Sequence, residues 1–114
     1  MFCKGVGDRL THLPNRLVFI QNLKELSQIK SESKCLFGVL CLDLDSFKYI
    51  NRNFGHAIGD LLLIEIVAKL NSCLRSQDIV ARIGGDEFAI LLAGFKQANY
   101  PSEIATQIQR EFSV

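Results

Sequence analysis

Acidic residues at two points of the chain have the types and spacing to bind a metal ion and act on a phosphate. Asp86 and Glu87 directly follow the paired glycines Gly84 and Gly85 and lead into an apolar run. Because successive strand residues point to opposite faces of a sheet, we expect one acid on each side. Bare glycines also let a phosphate chain approach the backbone without meeting a Cβ. Taken alone, the stretch is more typical of a solvated hairpin tip.

The apolar segment from Leu36 to Leu44 carries the second acidic point, with Asp43 near its end and Asp45 just after it. Its continuous hydrophobicity predicts a strand covered on both faces and central in its sheet. A lone buried carboxylate is costly, and a cation would compensate Asp43. Carboxylates on neighbouring strand ends suit Mg²⁺, which in open sites usually serves nucleotide phosphates. Phe54 stands where an EF-hand loop requires glutamate, which excludes that calcium motif.

The elements that must position these acids alternate between helical and strand patterns. We predict a helix from about Pro14 to Ile29, a strand from Leu36 to Leu44, a polar and aromatic stretch from Ser46 to Phe54, a long helix ending near Leu74, a hairpin from Ile79 to Leu92 and a last helix from Pro101. The paired glycines are expected to supply the positive φ of the hairpin turn. A β-α-β-β-α core indicates an α+β, ferredoxin-like sheet without its final strand.

The composition describes one domain without a strong overall charge. The chain has 114 residues, a hydrophobic fraction of 48% and a formal net charge of +1. One core is therefore expected, with no field that attracts nucleic acid. Cys41 and Cys73 lie in apolar segments, which predicts buried thiols and a cytoplasmic location. No apolar run reaches the ~18 residues of a membrane span, so we expect no direct membrane contact in this segment, and a membrane-anchored parent protein stays open.

Four motifs stand in the order and spacing of one protein family. They are Asp8-x-Leu10-Thr11-x-Leu13-Pro14-Asn15-Arg16, Asp43-Leu44-Asp45-Ser46-Phe47-Lys48-x-Ile50-Asn51, Phe54-Gly55-His56-x-x-Gly59-Asp60 and Gly84-Gly85-Asp86-Glu87-Phe88. The sequence therefore resembles a GGDEF domain, the catalytic module of diguanylate cyclases. The resemblance implies the palm-like sheet of nucleotide cyclases. We expect one partial domain over residues 1–114, with residues 1–13 as a lead-in and residues 14–114 as its core.

The resemblance implies an enzyme that condenses two GTP molecules into cyclic di-GMP with Mg²⁺ or Mn²⁺. Such an enzyme works as a homodimer, because each subunit presents one GTP and the two 3′-hydroxyls attack across the interface. GTP is then the substrate, and cyclic di-GMP is both product and inhibitor. Phosphoryl transfer needs charge neutralisation and alignment more than covalent help, which agrees with a site built from acids and a metal.

The resemblance also implies a role for individual residues. Asp86 and Glu87 are expected to be catalytic, with Asp86 as the base for the attacking 3′-hydroxyl. The implied metal ligands are Asp43, the carbonyl of Leu44, Asp86 and Glu87. The implied substrate contacts are Asn51, Asp60 and His56 around the guanine, and Lys48, Arg82, Gly84 and Gly85 near the phosphates.

Arg75 and Asp78 stand just before the hairpin, where the family often carries a product-binding inhibitory site. An arginine fork suits both phosphate and the guanine edge. The alternative is an arginine favoured by the C-terminal end of a helix dipole. Asp8 and Thr11 are expected to cap the first helix rather than to touch substrate.

The sequence departs from the family pattern after the last predicted helix. A complete domain adds a strand with a Ser-Ile-Gly-like motif and a helix whose basic residues contact the triphosphate, and neither is present before Val114. We therefore expect the strand from Leu36 to Leu44 to expose an apolar edge. We also expect weak or absent turnover by this chain.

Two other functions stay open. One is a non-catalytic module that senses GTP or cyclic di-GMP, since the acidic motifs look most like those of GGDEF–EAL tandem proteins. The other is a structural dimerisation fragment without a ligand. Intact acids favour the enzyme, because a sensor need not keep both Asp86 and Glu87.

Overall fold

The computed structural model describes residues 8–29, 36–45 and 47–112. The elements in chain order are α1 (Arg16–Ile29), β1 (Leu36–Asp43), α2 (Phe47–Phe54), α3 (His56–Cys73), β2 (Ile79–Arg82), β3 (Glu87–Phe95) and α4 (Tyr100–Phe112). The predicted α+β fold is confirmed. The helix α2 was not predicted, although Phe47, Ile50 and Phe54 place apolar residues at helical spacing along it.

The three strands form one antiparallel sheet in the order β1-β3-β2. The prediction that β1 is central is wrong for the strands described, because β3 lies between the other two. Leu36 and Val39 of β1 are 42% and 41% exposed, which matches the exposed apolar edge that the sequence also predicted. A continuous apolar run shows that a segment prefers burial, but it does not reveal which strand will have two neighbours.

The central strand β3 is buried on both faces of the sheet. Phe88, Ile90 and Leu92 alternate onto the face covered by α3 and α4, whereas Ala89 and Leu91 belong to the cluster around Phe19 of α1 on the other face. Burying a side chain such as Leu or Phe fully contributes about 1.5–3 kcal/mol. The sheet is thus held between helices, and the start of β3 at the hairpin is a firmly anchored point.

The longest helix, α3, packs one face on the sheet. Its buried stripe includes Leu63, Ile66, Val67 and Leu70, at the spacing of one helix face. The other side of the helix meets solvent, where Leu61 is 60% exposed. None of the helices in the described ranges combines the length and the hydrophobicity needed to cross a membrane.

The start of α1 differs from the predicted capping. Asn15 Oδ1 accepts a hydrogen bond of 3.1 Å from the Val18 amide, so Asn15 caps the helix. Asp8 and Thr11 lie before the helix in a turn of their own, where the Asp8 carboxylate accepts the amide and the hydroxyl of Thr11 at 2.8 Å each. The prediction of a helix cap at Asp8 and Thr11 is therefore wrong, because their bonds close an earlier turn.

The two described cysteines have different environments. Cys73 is buried in the main core, as predicted. Cys41 is exposed, contrary to the prediction. It shares the outward side of the edge strand with Val39 and Asp43, because every second residue of a strand points the same way.

Candidate functional site

The turn between β2 and β3 is closed by backbone hydrogen bonds to Glu87. The Glu87 carbonyl accepts hydrogen bonds from the amides of Ile83 and Gly84 at 2.8 Å and 3.3 Å. Within the described ranges, the glycines with positive φ are Gly55 and Gly94, so the prediction that the hairpin glycines supply positive φ is wrong. A Cβ on Gly84 would lie 2.8 Å from Glu87 Oε1. This glycine therefore leaves the space that the Glu87 carboxylate occupies.

The acids of two motifs meet at one end of the sheet. Asp43 at the end of β1 is the register partner of Glu87 at the start of β3. Directly opposed residues of an antiparallel pair have Cβ atoms about 4.5–5.5 Å apart. The Leu44 amide donates a 3.0 Å hydrogen bond to the Asp86 carbonyl, which extends the link beyond the strands. Asp43 and Glu87 are exposed and Asp86 is half-buried.

This donor set suits a loosely held divalent cation. Across the part of the chain that the structure describes, no three Asp, Glu, His or Cys side chains converge into a closed metal cage. Mg²⁺ is usually held by one or two carboxylates, with waters and substrate phosphates filling the other positions. The Leu44 carbonyl accepts the Phe47 amide at 3.2 Å and keeps a second lone pair. Asp43, Glu87 and this carbonyl therefore fit Mg²⁺ or Mn²⁺.

Arg82 holds the hairpin to the N-terminal turn. Its Nη1 donates to both carboxylate oxygens of Asp8 at 3.1 Å. Its Nε and Nη2 donate to the carbonyls of Gly84 at 3.2 Å and Gly85 at 2.8 Å. The guanidinium that the sequence predicted near the phosphates is thus engaged with protein acceptors, and the residue fixes the glycine loop.

The Asp8 carboxyl has a pKa below its ordinary value. Partial burial raises the pKa, but the hydrogen bonds from Thr11 and from Arg82, with the arginine's charge, outweigh that effect. The charged carboxylate is thus the form that the fold favours. The sequence predicted a helix cap at Asp8, and the contact of Asp8 with the hairpin was not predicted.

Helices α2 and α3 present the residues predicted to read the base. Asn51 on α2 is half-buried, and its Oδ1 is fully buried with no hydrogen-bond partner among the described residues. His56 and Asp60 are exposed in the first turns of α3, and Lys48 is exposed on α2. An unpaired buried acceptor is costly, and an N–H of a bound base would relieve it.

Arg75 and Asp78 form a closed cluster with the start of α4. Arg75 donates to Asp78 from Nη2 at 2.8 Å, from Nε at 3.2 Å and from its amide at 2.9 Å, and Nη2 also donates to the Ala93 carbonyl at 2.6 Å. The Tyr100 hydroxyl donates to Asp78 at 3.1 Å. The Arg75 Cζ lies 4.4 Å from the centroid of the Tyr100 ring. The part played by Tyr100 was not predicted, because no sequence pattern indicates it.

The cluster shifts the pKa of each member. Burial raises the pKa of Asp78, but hydrogen bonds from Arg75 and Tyr100 bring it below its usual value. Burial and the bond to Asp78 raise the pKa of Tyr100. The hydrogen bond to Asp78 raises the pKa of Arg75. The Asp78 side chain is 0% exposed, and its carboxylate oxygens already accept hydrogen bonds from Arg75 and Tyr100.

Comparisons of the sequence with a family model and with curated proteins agree on one family. A family model described as "Diguanylate cyclase, GGDEF domain" matches residues 6–114. The bifunctional diguanylate cyclase/cyclic di-GMP phosphodiesterase MucR of Pseudomonas aeruginosa is 41% identical over 106 residues, which are 93% of this chain and 15% of MucR. The diguanylate cyclase TpbB of the same species is 48% identical over 86 residues, which are 75% of this chain and 20% of TpbB. The chain thus spans a small part of these relatives.

Solved structures share the fold. A TpbB variant from P. aeruginosa comprising only the GGDEF domain superposes with a TM-score of 0.90 at 40% identity, covering 95% of this chain and 63% of that chain. The GGDEF domain of DgcB from Caulobacter crescentus, solved in complex with c-di-GMP, has a TM-score of 0.86 at 28% identity with the same coverage.

Proposed function

Because the chain belongs to the GGDEF family of diguanylate cyclases, we propose that it is a catalytic module that condenses two GTP molecules into cyclic di-GMP. The observation that carries this proposal is the register pairing of Asp43 with Glu87, beside the hydrogen bond between Leu44 and Asp86. It brings acids that lie far apart in sequence to one end of the sheet. That end provides oxygen donors, a bare glycine backbone and solvent access.

Asp43, Asp86, Glu87 and the carbonyl of Leu44 would hold Mg²⁺ or Mn²⁺. When bound, the metal neutralises charge on the phosphates and aligns the reacting groups. Gly84 and Gly85 allow the phosphates close to the backbone, and Lys48 on α2 adds a positive charge. Arg82 keeps the glycine loop in place through its bonds to the Gly84 and Gly85 carbonyls.

The 3′-hydroxyl oxygen of one GTP attacks the α-phosphorus of the other in the proposed reaction. A new P–O bond forms, the bond to the β-phosphate oxygen breaks, and pyrophosphate leaves. The Asp86 carboxylate accepts the hydroxyl proton as general base. A second, equivalent step closes the ring. A homodimer that presents one GTP on each subunit supplies both hydroxyls.

Guanine is read by Asn51 and Asp60 in this proposal, with His56 beside them. An ionised carboxylate accepts hydrogen bonds from the base N–H groups, and an amide both donates and accepts. The buried, unpaired Oδ1 of Asn51 supports the assignment. Discrimination against adenine follows, because adenine carries an acceptor at N1 and a C–H at C2, where guanine carries the N1–H and 2-amino donors.

Arg75 and Asp78 are proposed to contact cyclic di-GMP as an inhibitory product. Because the Asp78 side chain is buried and its oxygens are engaged, product binding must use the exposed part of Arg75 or separate the pair. A calorimetric titration with cyclic di-GMP tests this proposal. Loss of binding in Arg75→Ala is the expected result, and equal affinity in the parent and the variant would exclude the site.

The primary experiment measures GTP binding by calorimetry with and without Mg²⁺. We expect Mg²⁺-dependent binding that prefers GTP to ATP, and a Kd about tenfold higher in Asp43→Asn and in Glu87→Gln, equivalent to ~1.4 kcal/mol. Glu65→Gln, which changes an exposed acid on α3, is the matched control and should bind as the parent does. Equal effects of all three substitutions, or no GTP binding, would contradict the proposal.

The second experiment measures cyclic di-GMP by mass after incubation with GTP and Mg²⁺. The weak turnover expected from the sequence stays a prediction, so the informative comparison is the parent against Asp86→Asn. Product that disappears in Asp86→Asn supports the enzyme. GTP or cyclic di-GMP binding without any product supports the sensing module, and neither binding nor product supports the dimerisation fragment.

A further inference from the structure

A single glycine joins α2 to α3 and folds the two helices against each other. Gly55 has φ 92°, a conformation that residues with a Cβ rarely adopt. Its amide donates to the Asn51 carbonyl at 3.0 Å, and its carbonyl accepts the Gly59 amide at 3.2 Å. The last turn of α2 and the first turn of α3 therefore share a continuous set of backbone bonds, which brings Asn51 to Gly59.

Gly59 is buried, and the Asn51 side chain fills the space where a Cβ would stand. A Cβ at this position would overlap Asn51 Oδ1 and lie 2.9 Å from its Cγ, whereas Phe47 Cε1 would be 3.4 Å away. The obstacle to a larger residue is therefore the Asn51 amide. Glycine inside a helix is unfavourable relative to alanine, so its presence here needs a reason of this kind.

Asn51 Oδ1, the atom for which Gly59 leaves space, has no hydrogen-bond partner among the described residues. Asn51 Oδ1 is the one buried side-chain nitrogen or oxygen without a partner in the described ranges. Buried polar atoms are nearly always bonded, so an exception points to a missing partner. Guanine carries N–H donors on its base-pairing edge, and Asp60, adjacent to Gly59, offers a second acceptor.

We propose that Gly59 is a positioning residue for guanine selectivity, an inference that rests on the proposed function. Its missing side chain lets the Asn51 amide take the place from which it reads the base. A methyl group at residue 59 displaces the amide but leaves the proposed metal ligands unchanged, because these lie at the ends of β1 and β3 and in the segments directly beside them. The substitution thus reduces the preference for GTP over ATP without abolishing nucleotide binding.

A double-mutant cycle tests this coupling without any ligand. Gly59→Ala should lower the melting temperature of the parent, because the new Cβ collides with Asn51. In the Asn51→Ala background the same substitution should raise the melting temperature, because the collision is gone and alanine favours the helix. Ala57→Gly, at an exposed position of the same helix turn, is the matched control and should lower the melting temperature in both backgrounds. A loss from Gly59→Ala that is equal in both backgrounds would overturn the inference.

Nucleotide affinities supply the functional readout. We expect Gly59→Ala to raise the Kd for GTP with Mg²⁺ about tenfold, the size of one lost hydrogen bond to a base, and to leave the Kd for ATP unchanged. In the Asn51→Ala background Gly59→Ala should change neither value. Unchanged preference for GTP in Gly59→Ala would overturn the inference alone. Failure of the parent chain to bind GTP would overturn the proposed function, and the role of Gly59 in guanine selectivity with it.

Discussion

Asp8 and Arg82 are separated by 74 positions in the sequence and joined by two hydrogen bonds of 3.1 Å. The same guanidinium donates to the carbonyls of Gly84 and Gly85. One arginine therefore ties the N-terminal turn to the loop that precedes Asp86. Because the fork geometry of arginine matches a carboxylate and two carbonyls at once, lysine cannot replace it in this position.

Replacing Asp8 with alanine should destabilise the fold and loosen the hairpin. The carboxylate is 23% exposed and Arg82 is 17% exposed, so solvent weakens the pair without removing its effect. We expect the free energy of unfolding to fall by about 1.5–2 kcal/mol, the lower part of the range for hydrogen bonds to charged groups. Urea unfolding measures the change. Arg9→Gln, an exposed neighbour, should stay within about 0.5 kcal/mol of the parent, and a similar loss in that control would remove the argument.

Stability should decline in acid through Asp78 and Asp8. Folding lowers the pKa of both carboxyls, so their contribution is fully present above the unfolded pKa of about 3.9 and is lost as the pH falls through the lower folded value. We expect nearly constant contributions from pH 7 to about 5 and a loss below about pH 4. Urea midpoints between pH 7 and pH 2 record the decline. Asp78→Asn should show a shallower decline, and an unchanged slope would exclude Asp78 as a contributor.

Removing the Tyr100 hydroxyl should weaken the cluster around Asp78. Tyr100→Phe loses the 3.1 Å bond to Asp78 but keeps the ring over Arg75, so we expect a loss of about 0.5–1.5 kcal/mol in the free energy of unfolding. Tyr100→Leu also loses the contact between ring and cation and should cost about 0.5–1 kcal/mol more. Tyr49→Phe, at an exposed tyrosine of α2, is the control. Identical stability of the phenylalanine and leucine variants would show that the ring contributes nothing.

A methyl group on Gly84 should disturb Glu87 rather than the fold. The new Cβ would lie 2.8 Å from Glu87 Oε1, and the exposed carboxylate can turn away at little cost. We expect unfolding within about 0.5 kcal/mol of the parent and a Kd for GTP with Mg²⁺ that is about fivefold higher, equivalent to ~1 kcal/mol. Gly85→Ala is the stability control, because nothing lies within 4 Å of its Cβ position. The explanation is contradicted if Gly84→Ala raises the Kd for GTP as much in the Glu87→Ala background as in the parent.

The sequence predicted the strands, the helices other than α2 and the two acidic motifs, because apolar periodicity and motif spacing are local properties. It failed where the outcome depends on packing. The apolar runs around Val39 and Leu91 look alike in sequence, yet only the second lies in a strand with a neighbour on each side. Gly59 must be small because α3 packs against Asn51 of α2. Tyr100 lies beside Arg75 because of the way α4 packs back on the sheet.

Because β3 is buried on both faces, we expect the part of the candidate site on β3 to be more stable than the part on α2. Backbone amides of a strand paired on both sides and covered on both faces open last in hydrogen exchange, so the amides from Phe88 to Leu91, directly after Glu87, are expected to open last. Asn51 belongs to a short helix that packs mainly on α3 and exposes most of its residues. We expect the amides on the α2 side, which we propose to read the base, to exchange faster than those on the β3 side, which we propose to hold phosphate and metal. Nucleotides would then dock by their phosphates first and be sorted by their bases afterwards.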